Sequence, residues 1–137
     1  MNVLNFRAEV MAAFQAKFGS DPRLRLEFEN STEVDTDNST VPVLRMDIRF
    51  DYGEQRDISD KPWVTEYGNL LFAFATPERT GTVLMNEVMM ALQDTFERKY
   101  FAWGRVHVGS RSKPVEFKKG WVAYRFSVPF ELDRLSQ

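Results

Sequence analysis

The chain has 137 residues, no cysteine, one histidine and a formal net charge of −2, which at roughly 100–200 residues per domain predicts one domain. Without cysteine there is no disulfide scaffold, thiolate metal site, iron–sulfur cluster or cysteine nucleophile, and His107 alone cannot build a histidine metal cage. The near-neutral total argues against whole-surface nucleic-acid binding and leaves local patches open, in a composition of 43% apolar and 28% charged residues that is ordinary for a globular protein.

The opening stretch Met1 to Glu9 has neither a basic n-region nor an unbroken apolar h-region, so no secretory signal is expected. No run of apolar residues is long enough to predict a spanning helix. Both points, with the missing cysteines, favour a reducing, intracellular setting.

Residues 3–18 place Val3, Phe6, Val10, Phe14 and Phe18 at steps of three and four, which predicts a helix with one apolar face. Asn2 is its expected N-cap and Gly19 its stop. After Pro22, Leu24, Leu26 and Phe28 alternate with charges, the pattern of a half-buried strand. Residues 30–41 are polar and without period, which predicts a mobile connection near the upper length for a compact domain. A second strand carries Leu44, Met46, Ile48 and Phe50 on one face, with a polar loop expected over 51–62.

From Trp63 to Ala75 the chain ends in the run Leu70-Leu71-Phe72-Ala73-Phe74-Ala75, apolar on both faces, so this strand is expected to be central or in a subunit contact. A second helix is expected from about Arg79 or Thr82 to Tyr100, with Leu84, Val88, Leu92 and Phe96 on one face. A short strand around Val106 and Val108 precedes a basic loop over 110–120. The last strand alternates Val122, Tyr124, Phe126, Val128, Phe130 and Leu132, and Pro129 inside it predicts an edge position or a bulge. The fold class that follows is α+β, a mostly antiparallel sheet with two helices packed on one face.

No phosphate-binding glycine loop is present. The pairs Asp35/Asp37 and Asp57/Asp60 lie in polar stretches with no apolar neighbours to raise a carboxyl pKa, so they read as solvated loop charge rather than as an acid–base pair. A divalent-ion site at Asp35 and Asp37 has the clustered oxygens but not the spacing of a calcium loop. His107 lacks a neighbouring nucleophile and orienting acid in the sequence and reads as a surface or interface residue. Most phenylalanines fall on core faces. Tyr100, Phe101, Trp103 and Trp121 are left over and suit a protein contact better than a nucleotide.

Charge is segregated along the chain. Residues 27–61 hold ten acids against four bases, a net of −6, and residues 97–125 hold eight bases against two acids, a net of +6. On opposite sides of a domain these segments would let copies associate head to tail; as neighbouring strands they would neutralise each other.

Several stretches resemble the tail terminator (tail completion) proteins of lambda-like long-tailed phages. They are Met46-Asp47-Ile48-Arg49-Phe50-Asp51-Tyr52-Gly53-Glu54-Gln55-Arg56, Tyr67-Gly68-Asn69-Leu70-Leu71-Phe72-Ala73-Phe74, Thr76-Pro77-Glu78-Arg79-Thr80-Gly81, Phe96-Glu97-Arg98-Lys99 and Val128-Pro129-Phe130-Glu131. The resemblance implies a non-enzymatic structural virion protein, without cofactor or metal, that works in the phage tail and assembles in the host cytoplasm. Such subunits form a hexameric ring on the tail tube, stop its polymerisation and offer a surface for head attachment. Expected partners are further copies of the chain, the tail tube protein and a head–tail connector, with DNA passing through the lumen without specific binding. The expected contact residues are Glu33, Asp35, Asp37, Arg56, Asp57 and Lys61 from the acidic loops, with Arg111, Lys113, Lys118 and Lys119 from the basic one. The alternatives are a tube subunit, a head–tail connector, or a small nucleic-acid-binding module using residues 97–125.

Overall fold

A computed structural model describes residues 3–28, 41–58, 62–78, 82–118 and 120–135. Helix α1 (Val3–Phe18) leads into strand β1 (Arg25–Phe28), then β2 (Val43–Gln55), β3 (Trp63–Pro77) and helix α2 (Val83–Phe96). Five strands follow: β4 (Tyr100–Phe101), β5 (Gly104–Val106), β6 (Ser110–Arg111), β7 (Val115–Lys118) and β8 (Trp121–Leu135). They form one sheet in the order β1-β2-β3-β8-β5-β4, with β6 and β7 also pairing β8. The architecture is α+β. The sheet is mixed, because β1 runs parallel to β2 while the other pairs are antiparallel.

The periodicity of two sorts each long strand. Leu44, Met46 and Ile48 of β2, Leu70, Phe72 and Phe74 of β3, and Phe126, Val128, Phe130 and Leu132 of β8 all join one buried cluster. Phe6, Val10, Phe14 and Phe18 of α1 and Val88, Met89, Leu92 and Phe96 of α2 join the same cluster, so both helices cover the same face. Ring contacts tie the layers together: Phe6 meets Phe130 at 4.6 Å, and Phe72 meets Phe96 at 5.0 Å and Phe14 at 5.9 Å. Burial of this many aromatic rings is the main stabilising term.

Several expectations change. β2 continues through the expected loop to Gln55, past a register shift between Phe50 and Tyr52. That bulge breaks the alternation that would have revealed the strand. The second helix ends at Phe96, four residues early, because Glu97 is extended and Arg98 adopts φ 59. The turn lets Phe101 pack against Phe96, with ring centroids 5.7 Å apart and planes tilted by 37°, so Phe101 joins the edge of the core and not the expected contact surface. The expected basic loop contains β6 and β7, formed against the free side of the long β8. Except for Val41, the expected polar loop lies outside the described residues, as does Asn2.

Pro129 sits in a strand paired on both sides and not at an edge. Its carbonyl accepts from the His107 N–H at 2.9 Å, so its ring nitrogen faces the gap between β5 and β6. No ladder donor is needed there. Trp121 is a second correction: it is only 6% exposed and belongs to the interior, not to a contact surface.

Candidate functional site

The face of the sheet opposite the helices carries a continuous row of side chains. Tyr52, Tyr67, Glu131, Arg105 and Tyr100 are successive register partners across β2, β3, β8, β5 and β4. Residues directly opposite on one face lie close enough to interact. Tyr52 and Tyr67 stack at 4.7 Å. Arg105 donates to Glu131 at 2.8 Å and to Asp133 at 2.9 Å. The Thr65 hydroxyl donates to the other Asp133 oxygen at 2.7 Å and accepts from Arg56 Nε at 3.0 Å. Arg56 also donates to the Tyr67 hydroxyl.

This network sets the local charge. The Arg105 hydrogen bond holds the Glu131 carboxyl below the usual carboxylate range, against the opposing effect of partial burial. Burial pushes Asp133 upward, but the hydrogen bonds from Thr65 and Arg105 outweigh it and leave its pKa lowered. Arg105 is in turn held firmly protonated, first by Glu131 and then by Asp133. His107 Nε2 lies 3.5 Å from Glu131 Oε1 at the exposed end of the row.

Two exposed indoles stand beside the network. Trp63 and Trp103 meet at 6.3 Å with planes inclined by 31°. They border a cavity of about 460 Å³ completed by Arg56, Thr65, Arg105 and Asp133. Trp103 is placed by the tight turn between β4 and β5, where Ala102 takes φ 51. A left-handed alanine is strained, and such strain persists only where the surroundings hold it. Gly104 contributes the other constraint, since a Cβ there would come within 2.5 Å of the Phe6 ring. The hairpin is therefore seated directly on α1.

A second cavity, about 570 Å³, opens at the outer side of β5 and is lined by Arg98, Lys99, Tyr100, Arg105, Val106, His107 and Val108. Its lining is cationic and partly apolar. Among the described residues no group of three or more metal-ligating side chains comes together.

The expected contact residues do not converge on one point. Arg56 belongs to the network, and Asp57 follows it, its carboxylate accepting from the Trp63 N–H at 3.5 Å. Arg111 pairs with Phe126 in β6, Lys113 is exposed after it, and Lys118 pairs with Trp121 in β7. Glu33, Asp35, Asp37, Lys61 and Lys119 lie outside the described residues, and so does Asp60. Arg105, Glu131, Asp133, Thr65 and Trp63 were not singled out from the sequence. The alternation of β8 puts Glu131 and Asp133 on its polar face, but their partner is 26 and 28 residues away in the chain.

No family model and no curated protein matches the chain. Nineteen solved chains resemble the structure. One of them, whose name carries no function, covers 91% of this chain and 94% of its own length at a TM-score of 0.62 and 15% identity. At that identity the likeness concerns the fold alone.

The sheet order separates the described members of the two charged segments. The described acids of 27–61 lie on β1, β2 and the segment after it, and the bases of 97–118 lie beside the opposite edge of β8, with β3 and β8 between them. Part of the acidic charge is met locally, by Arg45–Asp47 at 2.9 Å, Arg45–Glu27 at 3.6 Å and Arg49–Asp51 at 2.8 Å. Among the described residues no strand of one segment pairs with a strand of the other; five of the ten acids of 27–61 lie outside the described residues.

Proposed function

We propose that the chain is a tail terminator subunit of a long-tailed phage, a structural protein that forms a ring on the tail tube, stops its growth and presents a surface to the head. The feature that supports this reading is that the described acids Glu27, Asp47, Asp51, Glu54 and Asp57 lie on β1, on β2 or just after it, while the described bases Arg98, Lys99, Arg105, Arg111 and Lys113 lie beyond β8, with β3 and β8 between them. Surfaces of opposite sign on different patches favour head-to-tail contact between copies, which closes into a ring when the rotation allows. The stretches that resemble the tail terminator family support it as well, from Met46 to Arg56 and from Tyr67 to Phe74. In this reading the partners are further copies, the tube protein and a head–tail connector, with DNA passing through the lumen.

The test is mass in solution and negative-stain imaging, with and without tail tube protein. Rings alone or on tube ends are expected, with tube growth arrested. Only monomers, even bound singly to tube ends, would refute the ring. Long filaments of this chain by itself would point to a tube subunit.

A second reading, a nucleic-acid-binding module, is favoured by one observation: Tyr100 and Trp103 are 75% and 54% exposed in the same hairpin segment that carries Arg98, Lys99 and Arg105. Binding to DNA that weakens steeply with salt would support it.

A further inference from the structure

Two of the three tryptophans stand in the open. Trp63 opens β3 and Trp103 lies in the β4–β5 turn, and their side chains are brought together at 6.3 Å. They remain 39% and 54% exposed, although covering an indole removes a large apolar area from water. The turn that presents Trp103 holds Ala102 at φ 51, a strained conformation of the kind that gathers at ligand sites.

The pair forms one wall of the cavity of about 460 Å³, a volume within the roughly 300–1,000 Å³ of small-ligand sites. Two rings whose centroids are 6.3 Å apart leave no room for a third between them, since each stacked face needs about 3.5 Å. A guest therefore lies against the indoles as on a wall. The rest of the lining, among the described residues, is Arg56, Thr65, Arg105 and Asp133.

Charge in this lining is already offset. Arg105 holds Asp133 at 2.9 Å and Glu131 at 2.8 Å, while Arg56 donates to Thr65 at 3.0 Å and stands 3.8 Å from Glu54. A phosphate would meet the Asp133 carboxylate, and a cation would meet two guanidinium groups, so a neutral guest fits best. Hydrogen-bonding capacity remains. Asp133 accepts one bond from Thr65 and one from Arg105 and keeps lone pairs to spare. Arg105 spends one N–H on each carboxylate and keeps the rest of its fork. Their side chains are 38% and 31% exposed, so donors and acceptors reach solvent side by side.

We propose that this cavity is a carbohydrate subsite, in which a hexopyranose ring of a neutral glycan lies against Trp63 and Trp103. Adjacent ring hydroxyls donate to Asp133 and accept from Arg105. The C–H face of the sugar matches the indole wall, and a vicinal diol matches a carboxylate beside a guanidinium group. A nucleotide brings a phosphate that the lining does not offset, and a proline ring has no hydroxyls for the polar side. The proposal goes beyond the ring reading and stands without it.

The test is saturation-transfer NMR and tryptophan emission on the intact chain with cellohexaose, maltohexaose and chitohexaose. At least one should bind saturably and shift the emission, with an affinity indifferent to salt because no ion pair forms. Trp103→Ala and Asp133→Asn should each weaken that binding about tenfold. Trp103→Phe keeps an aromatic face and should retain most of it. Lys113→Ala, in the basic segment outside the cavity, should leave it unchanged. Thermal unfolding of each variant separates lost binding from a lost fold, and Trp103 is exposed enough for its replacement to leave the core intact. No saturable binding by any of the three glycans would overturn the proposal, as would binding that Trp103→Ala leaves unchanged. Oligothymidylate that displaces the glycan, with an affinity falling steeply with salt, would assign the cavity to nucleic acid and reject it. Tighter binding of a polyproline peptide at Trp103 would reject it as well.

Discussion

Arg105 and Glu131 are register partners on adjacent strands, and their side chains meet at 2.8 Å while a second guanidinium nitrogen holds Asp133 at 2.9 Å. One cation on β5 thus serves two carboxylates spaced two residues apart on β8. The alternation of a strand puts both on the same face, where a single fork reaches them.

The first prediction concerns pH. Glu131 and Asp133 have lowered pKa values in the folded chain. A lowered folded pKa stabilises the protein above the unfolded value, about 3.9–4.3 for carboxyls, and that stability is lost as pH falls through the folded values. Arg105→Gln removes the main cause for Glu131 and part of it for Asp133, which keeps its Thr65 hydrogen bond, at a cost of about 1 kcal/mol at pH 7 for partly exposed pairs. Urea midpoints at pH 7 and pH 3 should therefore fall further in the parent than in the variant. Equal falls would remove this network from the acid response.

The second prediction concerns the β4–β5 turn. Ala102 at φ 51 carries a strain that glycine would relieve and a β-branched residue would worsen. Ala102→Gly should be neutral or stabilising by about 0.5 kcal/mol, while Ala102→Val should destabilise by about 1–2 kcal/mol. Thermal unfolding of the two variants gives the order directly, and a more stable valine variant would contradict the left-handed turn.

Core packing gives the third. Phe72 is buried and meets Phe14, Phe96 and Phe126. Phe72→Ala should cost about 3–5 kcal/mol. Gly104→Ala should cost about 1–3 kcal/mol because the new methyl group meets the Phe6 ring. Chemical denaturation of both separates a cavity from an overpacked contact: only the first should be eased by a larger aliphatic residue at the same site.

The fourth reads the aromatic surface. Trp63 and Trp103 are exposed and Trp121 is buried. Iodide should quench most of the tryptophan emission of the parent that comes from the first two. Trp121→Phe should leave the quenchable signal intact, and the double variant Trp63→Phe, Trp103→Phe should abolish it. Strong quenching in that double variant would place Trp121 at the surface.

Much of the fold was legible because burial leaves a period. Phe6, Val10, Phe14 and Phe18 announce a helix, and Phe126, Val128, Phe130 and Leu132 announce a strand, since each set falls on one face. The outer half of β2 was not legible. Its side chains are exposed on both faces, so no alternation of polarity survives, and the bulge after Phe50 shifts what remains. β6 and β7 escaped for a different reason. They are short and polar and exist because β8 offers a free side, a fact that lies in the partner strand. Trp121 misled because the face opposite the helices was assumed to be open along its whole length.

The candidate site divides in the same way. Composition alone removed thiol chemistry, and local counting alone found the −6 and +6 segments, because both are sums over residue types. The separation of their described members depended on β3 and β8 lying between them, which no local pattern encodes. The Arg105–Glu131–Asp133 cluster and the Trp63–Trp103 pair join residues far apart in the chain, at distances set by strand order and register. Periodicity fixes which face a side chain takes; only the assembled sheet decides which side chain it meets there.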